Sequence, residues 1–471
     1  MADVFLVEPP AASGFGSLRT LGSIGTFKAD MAWPPLDLMI IAGLLRGRGF
    51  SVELLDANSA RLSFDAVKAA LEKASPKLVL FTASTPTLYH DLRVADIAKS
   101  VSPSILTAVT STHVNALPLE TLALNPNLDY AVPNDSEFTV LELVRGVSPE
   151  LVPGLAYRMN GVSRLNPAAP PIERLDDLGV PSHDLLDLNL YRDPFMKRGP
   201  MAVTYFSRGC VNQPPCIMCS ACFYGRLRHR GVSAFMKELR ELKRMGVREL
   251  RFPFEGGFNR SEHARELFEA MIAENLGMNF TCNARADCLS PELLALMKAA
   301  GCTAVNIGCE SADANVLELM RKHVAPEQVR RAVSDAKRAG LEVLVYFVFG
   351  LPGETRDTMR KTLCFAKTLE ADLVTFGVAI PHPGTEFYSY LKQRGYLLTE
   401  DWSRYNPMLP PPYSYPGLSS SEIYEFSRKA YRSYYLRPQL VWKRLRRGDW
   451  AREWKNFTGF AARYIKKQGN Q

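Results

Sequence analysis

The chain has little that would carry it out of a reducing compartment or across a bilayer. No run of about 18 apolar residues is present, and the start MADVFLVEPP lacks the basic opening of a signal peptide. A cytoplasmic location is the expectation. Cysteine is scarce, nine in 471 residues, which argues against a disulfide scaffold. Basic charge is scarce too, outside one tail: residues 438–471 carry nine Lys or Arg against Asp449 and Glu453, nearly the whole of the net +8. A neutral body with a basic tail does not read as a nucleic-acid-binding protein.

A chain of 471 residues exceeds one ordinary core, so several domains are expected. VFLVEP, SVELLDA, LVLFTAS, ILTAVT and LDYAVP read as strands, and PPLDLMIIAGLLRGRG between them has helical spacing with a glycine stop. Repeated strand–helix units imply a doubly wound, Rossmann-like parallel sheet over residues 1–150, with ligands beyond the carboxyl ends of its strands. A Pro-rich connector follows at 151–199. Over 200–395, six strands, MAVTYF, ELRFPF, MNFTC, TAVNIG, VLVYFVF and LVTFGVA, alternate with amphipathic helices such as PEQVRRAVSDAKRAG. This α/β pattern predicts a partial (βα)6 form of the TIM-type barrel, whose chemistry sits at the carboxyl rim. A helical C-terminal region, 396–471, ends the chain.

Polar and glycine-rich stretches converge on that rim. Cys210 and its neighbours follow the first strand, Glu255-Gly256-Gly257 the second, and Asn283 with Arg285 the third. Gly308 and Glu310 close the fourth, while GLPGET (350–355) and PHPGT (381–385) follow the fifth and sixth. Four cysteines, Cys210, Cys216, Cys219 and Cys222, stand within FSRGCVNQPPCIMCSACFYG. Zinc would use all four in a closed tetrahedron, and it normally draws ligand pairs from separate segments. Three thiolates on a [4Fe-4S] cubane would instead leave one iron open to a chelating small molecule. One short loop at a barrel rim favours iron and sulfur, with zinc as the alternative.

SRGC followed by C-x-x-C, then NARAD, NIGCES and FVFGLPGET at successive strand ends, resemble the radical S-adenosylmethionine (SAM) enzymes. PPLDLMIIAGLLRGRGFSVELLDAN and NLDYAVPNDSEFTVLEL are similar to the subgroup with an N-terminal cobalamin-binding-type domain, and the likeness spans about residues 3–395. The resemblance implies that SAM chelates the open iron. A reducing electron, from a donor such as flavodoxin or ferredoxin, then cleaves it to methionine and a 5′-deoxyadenosyl radical. The implied ligands are Cys210, Cys216 and Cys219, with Cys222 an ordinary thiol, although the first gap holds five residues where the family has three. Met218 takes the place of the bulky side chain that packs on the adenine. Arg285 is expected at the SAM carboxylate, Glu310 at its amino group or ribose, Glu255, Gly256 and Gly257 at the methionine end, and Gly350 near the adenine. No side chain is assigned as a catalytic acid or base. Blander readings are that Arg285 pairs with Glu310, Glu255 caps the next helix, Thr355 N-caps a helix after GLPGET, and Cys282 and Cys309 are small core residues.

Cobalamin is an open question on the residues alone. D-x-H-x-x-G is missing, and His90 and His113 are lone histidines near strand ends. Glycines expected at the fourth strand and before SEFT are replaced by Thr110, Ser111, Asn134 and Ser136, which add bulk where backbone meets ligand. In the tail, Trp450, Trp454, Phe457, Ala461, Tyr464 and Ile465 make one apolar stripe opposite basic residues. Such a helix suits an anionic membrane surface, with RNA binding or packing on the barrel as competing readings. A membrane-surface tail fits a small hydrophobic substrate, an isoprenoid or hopanoid lipid or a tetrapyrrole, modified at an unactivated carbon by C-methylation or ring formation. The competing functions are methylthiolation-type RNA modification and a non-catalytic zinc or iron–sulfur protein.

Overall fold

The computed structural model describes residues 2–12, 17–19, 31–133, 135, 137–193, 196–253, 256–259, 261–438 and 440. Five parallel strands open the first sheet: β1 (Val4–Glu8), β2 (Val52–Asp56), β3 (Leu78–Thr82), β4 (Leu106–Thr110) and β5 (Tyr130–Val132), in the order β2-β1-β3-β4-β5. Val4, Leu6, Leu78 and Leu80 share one core with helix Leu36–Arg46, while Phe5, Val7, Val79 and Phe81 share another with helices Phe64–Ala74 and Arg93–Val101. Both faces are covered, which is why the strands read as continuous apolar runs. The strand order reverses between β1 and β3, and there a ligand crevice is expected at the carboxyl ends.

The sheet does not stop at residue 150. β6 (Ala156–Met159) and β7 (Val162–Leu165) extend it antiparallel beyond β5, across a turn in which Asn160 and Gly161 have φ of 49° and 79°. Asn-Gly is the pair that a two-residue hairpin favours, so the connector begins after Leu165 rather than at 151.

Beyond it, β8 (Met201–Val203) starts the barrel, and a short antiparallel pair, β9 (Ser207–Arg208) and β10 (Arg228–His229), brackets the cysteine stretch. β11 (Glu249–Phe252), β12 (Asn279–Ala284), β13 (Cys302–Glu310), β14 (Glu342–Phe349) and β15 (Leu373–Val378) complete six parallel strands in the order β8-β11-β12-β13-β14-β15. Outward residues such as Val343, Val345, Phe347 and Phe349 join the helices in the core. Arg251 reaches across neighbouring strands, donating to Thr281 Oγ1 and Asn283 Oδ1, each at 3.1 Å. At the amino end Glu249 accepts from the backbone of Lys197 (3.0 Å) and Arg198 (2.8 Å), so the connector closes that mouth. The carboxyl rim remains.

Six strands do not complete the ring, which makes β15 an edge. Helix Ser420–Tyr435 covers it, and the Tyr435 hydroxyl accepts from Val374 N–H at 3.1 Å and donates to Val374 C=O at 2.7 Å. One hydroxyl stands in for part of the missing strand. The apolar stripe Trp450 to Ile465 lies outside the described residues. Among those residues no helix is long and apolar enough to cross a membrane.

Candidate functional site

The cysteine loop is set by two glycines. Gly209, with φ of 86°, turns the chain after β9, and a Cβ there would meet Arg226 O at 2.3 Å. Cys210 then packs on Gly256, whose own added Cβ would lie 2.8 Å from Gly209 O and 3.5 Å from the Cys210 Cα. Ile217 pins the loop: its N–H donates to Met320 O (3.2 Å) and its carbonyl accepts from Phe387 N–H (3.0 Å). Three thiols each receive an N–H. Asn212 N–H donates to Cys210 Sγ at 3.4 Å, Asn212 Nδ2 to Cys216 Sγ at 3.5 Å, and Ala221 N–H to Cys219 Sγ at 3.4 Å.

These sulfurs feel one another. Partial burial raises the half-buried Cys216 thiol, with Cys210 adding to the rise, and Cys219, exposed as a residue, is raised by the atoms packed about its sulfur and by Cys216 and Cys210. Cys222 is raised by burial, with Glu386 as the acid beside it. Cys210 acts on Cys216, and both act on Cys219, whereas no other cysteine acts on Cys222. No three His, Cys, Asp or Glu side chains among the described residues converge on a single ion, whereas a cubane spreads its thiolates over separate irons. Three thiols with N–H donors, near two cations, fit such a cluster, whose potential those bonds tune.

The cations come from later strands. β13 bulges at its end, its pairing with β14 shifting between Gly308 and Glu310, and Glu310 takes a φ of 65°. A bulge re-aims the side chain it carries, and Glu310 meets Lys322, Oε1 to Nζ 2.9 Å. Gly308 makes the space: a Cβ there would lie 2.3 Å from Glu310 Oε1 and 2.9 Å from Lys322 Nζ. Arg285 pairs with Asp287 at 2.8 Å and donates to Lys322 O at 3.1 Å. Arg285 and Glu310 therefore do not pair with each other; each has its own counter-ion. Lys322 belongs to none of the sequence motifs, and it lies between Arg321 and His323, with φ of 55° and 52°.

The other expected site residues fall into two sets. Met218 is half-buried against the core, the Gly257 carbonyl accepts from Asn259 N–H at 2.9 Å, and Glu255 lies outside the described residues. Gly350 is held by the C-terminal region. Its N–H donates to Glu354, its carbonyl accepts from Tyr413 (2.6 Å) and Tyr415 (2.9 Å), and an added Cβ would meet the Tyr413 oxygen at 2.3 Å. Tyr413 and Tyr415 of the C-terminal region pack on this glycine. Burial pushes the Glu354 carboxyl up to about 8. Thr355 N-caps helix Arg356–Thr368 by accepting from Thr358 N–H at 3.3 Å, and Cys282 and Cys309 are buried.

Across from the rim stands the first domain. At its crevice Arg19 is buried between Glu8 (3.0 Å) and Asp91 (2.7 Å), and burial pushes the Glu8 carboxyl up to about 7. The bulk introduced after β4 turns inward: Thr110 Oγ1 donates to Val132 O at 3.0 Å, and Ser111 Oγ accepts from Val114 N–H at 3.2 Å to cap helix Thr112–Ala116. Asn134 and Ser136 lie outside the described residues. His113 is buried, with Nδ1 3.2 Å from Thr85 Oγ1, Trp402 edge-on at 5.0 Å, and no partner for Nε2. Inward hydroxyls and an orphaned ring nitrogen at these strand ends fit a corrin, whose rim carries amides.

The two faces are joined next to the cysteines. Arg208, two residues before Cys210, forms buried pairs with Asp135 (3.0 Å) and Glu137, and Arg228 pairs with the same Asp135 at 2.8 Å. A Cβ on Gly384, after β15, would meet Ala116 of the first domain at 2.7 Å and Phe223 of the cysteine loop at 2.8 Å.

Residues 204–366 match the radical SAM superfamily and residues 22–144 the B12 binding domain. The fold and site thus define a radical SAM enzyme whose cofactors are a [4Fe-4S] cluster, SAM and cobalamin. The chain belongs to the same family as the uncharacterized methyltransferase PH0819 of Pyrococcus horikoshii, with 32% identity over 447 residues, 93% of this chain and 94% of that one. It is 28% identical over 426 residues to the anaerobic magnesium-protoporphyrin IX monomethyl ester cyclase of Rubrivivax gelatinosus, covering 86% and 74%. Its fold is also that of the radical SAM methyltransferase TsrM from Kitasatospora setae, solved with cobalamin and a [4Fe-4S] cluster: TM-score 0.67 at 18% identity, over 84% of this chain and 78% of that one.

Proposed function

We propose that the chain methylates an unactivated carbon of a hydrophobic substrate, an isoprenoid or hopanoid lipid or a tetrapyrrole. The observation that carries this reading is the junction itself: a cysteine loop on a barrel rim that Arg208 ties to the B12-binding domain. Relatives support it, one named a methyltransferase and one named for a tetrapyrrole ester. When bound, the cluster supplies the electron that cleaves SAM and cobalamin supplies methyl carriage. The chain's residues hold and orient. Cys210, Cys216 and Cys219 hold the cluster and leave one iron for SAM; Arg285 and Glu310 serve its methionine end, Met218 its adenine. Gly256 and Gly257 let backbone approach, with Glu255 beside them. Flavodoxin or ferredoxin delivers the electron, and the basic tail holds the enzyme at an anionic membrane surface.

The test is anaerobic reconstitution with hydroxocobalamin, then incubation with SAM and a reductant strong enough to give cob(I)alamin, the acceptor of the SAM methyl group. About four irons per chain, 5′-deoxyadenosine, and S-adenosylhomocysteine that depends on cobalamin are expected. One tightly held zinc and no deoxyadenosine would refute the reading. Deoxyadenosine without S-adenosylhomocysteine would favour ring formation, the reaction class of the cyclase relative.

A further inference from the structure

We propose that Asp135 is a clasp between the two cofactor sites: it holds both ends of the cysteine loop from the first domain, so that cobalamin binding and cluster retention reinforce each other. This rests on the rim being the cluster site and the carboxyl face of the first domain the corrin site. The loop leaves β9 after Arg208 and returns to β10 at Arg228, and these two residues are opposite partners across the pair. Each strand has only two residues, too few to hold a loop shut without help. The pairing also sets two guanidinium groups side by side, 5% and 4% exposed, where like charges repel. One carboxylate serves both: Asp135 Oδ1 lies 3.0 Å from Arg208 and its Oδ2 2.8 Å from Arg228.

Asp135 comes from the other side of the seam. It stands just past the carboxyl end of β5 and before helix Glu137–Val144, where ligands of such sheets sit. Its φ is 34°, a conformation that persists only where the surroundings over-determine it. Here the two arginines do so, together with Ile172, whose N–H donates to Asp135 Oδ2 at 3.2 Å. The arginines pass the hold into the loop. Arg228 donates to the Tyr224 carbonyl at 2.8 Å, and Gln213 closes the neck by donating to the carbonyls of Cys210 (2.9 Å) and Gly225 (3.2 Å). Without Asp135, Arg208 would keep Glu137, but Arg228 would have only carbonyls among the described residues. A buried cation left that way is costly. The neck therefore has two states, clasped and open, and each cofactor favours the first. A corrin fixes the segment that carries Asp135, and a cluster fixes Cys210. Coupling of this kind is reciprocal. Asp135 is thus a positioning residue that acts on the cluster through Arg208.

The test measures the coupling itself on the full chain. Hydroxocobalamin affinity is titrated by absorbance with and without the reconstituted cluster. Iron loss to excess chelator is followed anaerobically with and without hydroxocobalamin. In the wild type the cluster should tighten cobalamin at least about fivefold, and cobalamin should slow iron loss. Asp135→Asn should still take up iron and cobalamin, but neither should then affect the other, and Asp135→Glu should recover part of the coupling. A merely structural residue would weaken both sites and leave their coupling alone. Wild-type sites that ignore each other, or wild-type coupling in Asp135→Asn, overturn the proposal. Should Asp135→Asn fail to fold, the double variant Asp135→Asn/Arg228→Met removes one charge of each sign and keeps the Arg208–Glu137 pair. Full coupling in that variant overturns the proposal equally. A wild-type chain that holds no iron after reconstitution sinks the cluster-site reading itself, a result distinct from the others.

Discussion

The barrel rim and the carboxyl face of the first domain obey one topological rule but prepare for their cofactors in opposite ways. The rim offers particular atoms: three sulfurs with N–H donors, and the half-sheltered ion pair of Lys322 and Glu310. The first domain hides its polar atoms, saturating Arg19 between Glu8 and Asp91 and folding Thr110 and Ser111 inward. A cofactor held by coordination needs given ligands at given places. One held by shape needs chiefly that nothing protrude. Single substitutions should therefore wreck the first site and only dent the second.

The largest effect should come from the cysteines. Cys210→Ala, Cys216→Ala or Cys219→Ala should each take bound iron from about four per chain toward none, whereas Cys222→Ala keeps it; iron and sulfide analysis after reconstitution decides. An iron-free Cys222→Ala chain would reverse the ligand assignment. Next stands the seam between the regions. Arg208→Met removes one partner of a buried pair and should cost about 3–5 kcal/mol in urea unfolding, with Glu137→Gln milder. Gly308→Ala should cost only about 1–2 kcal/mol, since its methyl meets the ends of flexible side chains, and cobalamin binding should not change.

On the first domain, Ser111→Gly should cost about a few tenths of a kcal/mol and leave cobalamin retention, read by absorbance, as it was. Loss of the corrin would show that this hydroxyl faces the ligand after all. The pH-dependent effect concerns Glu354, whose carboxyl sits at about 8 when folded against an ordinary 4.5. The folded chain holds a proton that the unfolded chain releases, so its contribution to stability is full below about pH 4.5 and falls as pH rises to about 8. Glu354→Gln should flatten that slope in thermal melts across this range while keeping both N–H contacts.

The same contrast governs how much could be read from the sequence. Barrel strands, the cysteine loop and the Thr355 cap are local patterns, and the strands begin and end within a few residues of the reading. The β6–β7 hairpin was missed in the stretch read as a connector, although Asn160-Gly161 stood between two short alternating segments. Lys322 was not legible, because its place depends on a bulge at Glu310 and on left-handed turns at Arg321 and His323. Nor were the partners of Gly350, since the tyrosines that pack on it lie more than sixty positions downstream. Arg208 gave no hint of Asp135 and Glu137, more than seventy positions upstream, since charge pairing at that distance has no period to detect.

An unfinished ring has raw margins, and a raw margin recruits strands from neighbouring molecules. By occupying both the donor and the acceptor of Val374, Tyr435 blunts one of them with a single oxygen. The ring can then stay unfinished without becoming sticky. Tyr435→Phe, which keeps the ring and deletes that oxygen, should expose the liability as self-association on concentration, with the chemistry at the far rim untouched.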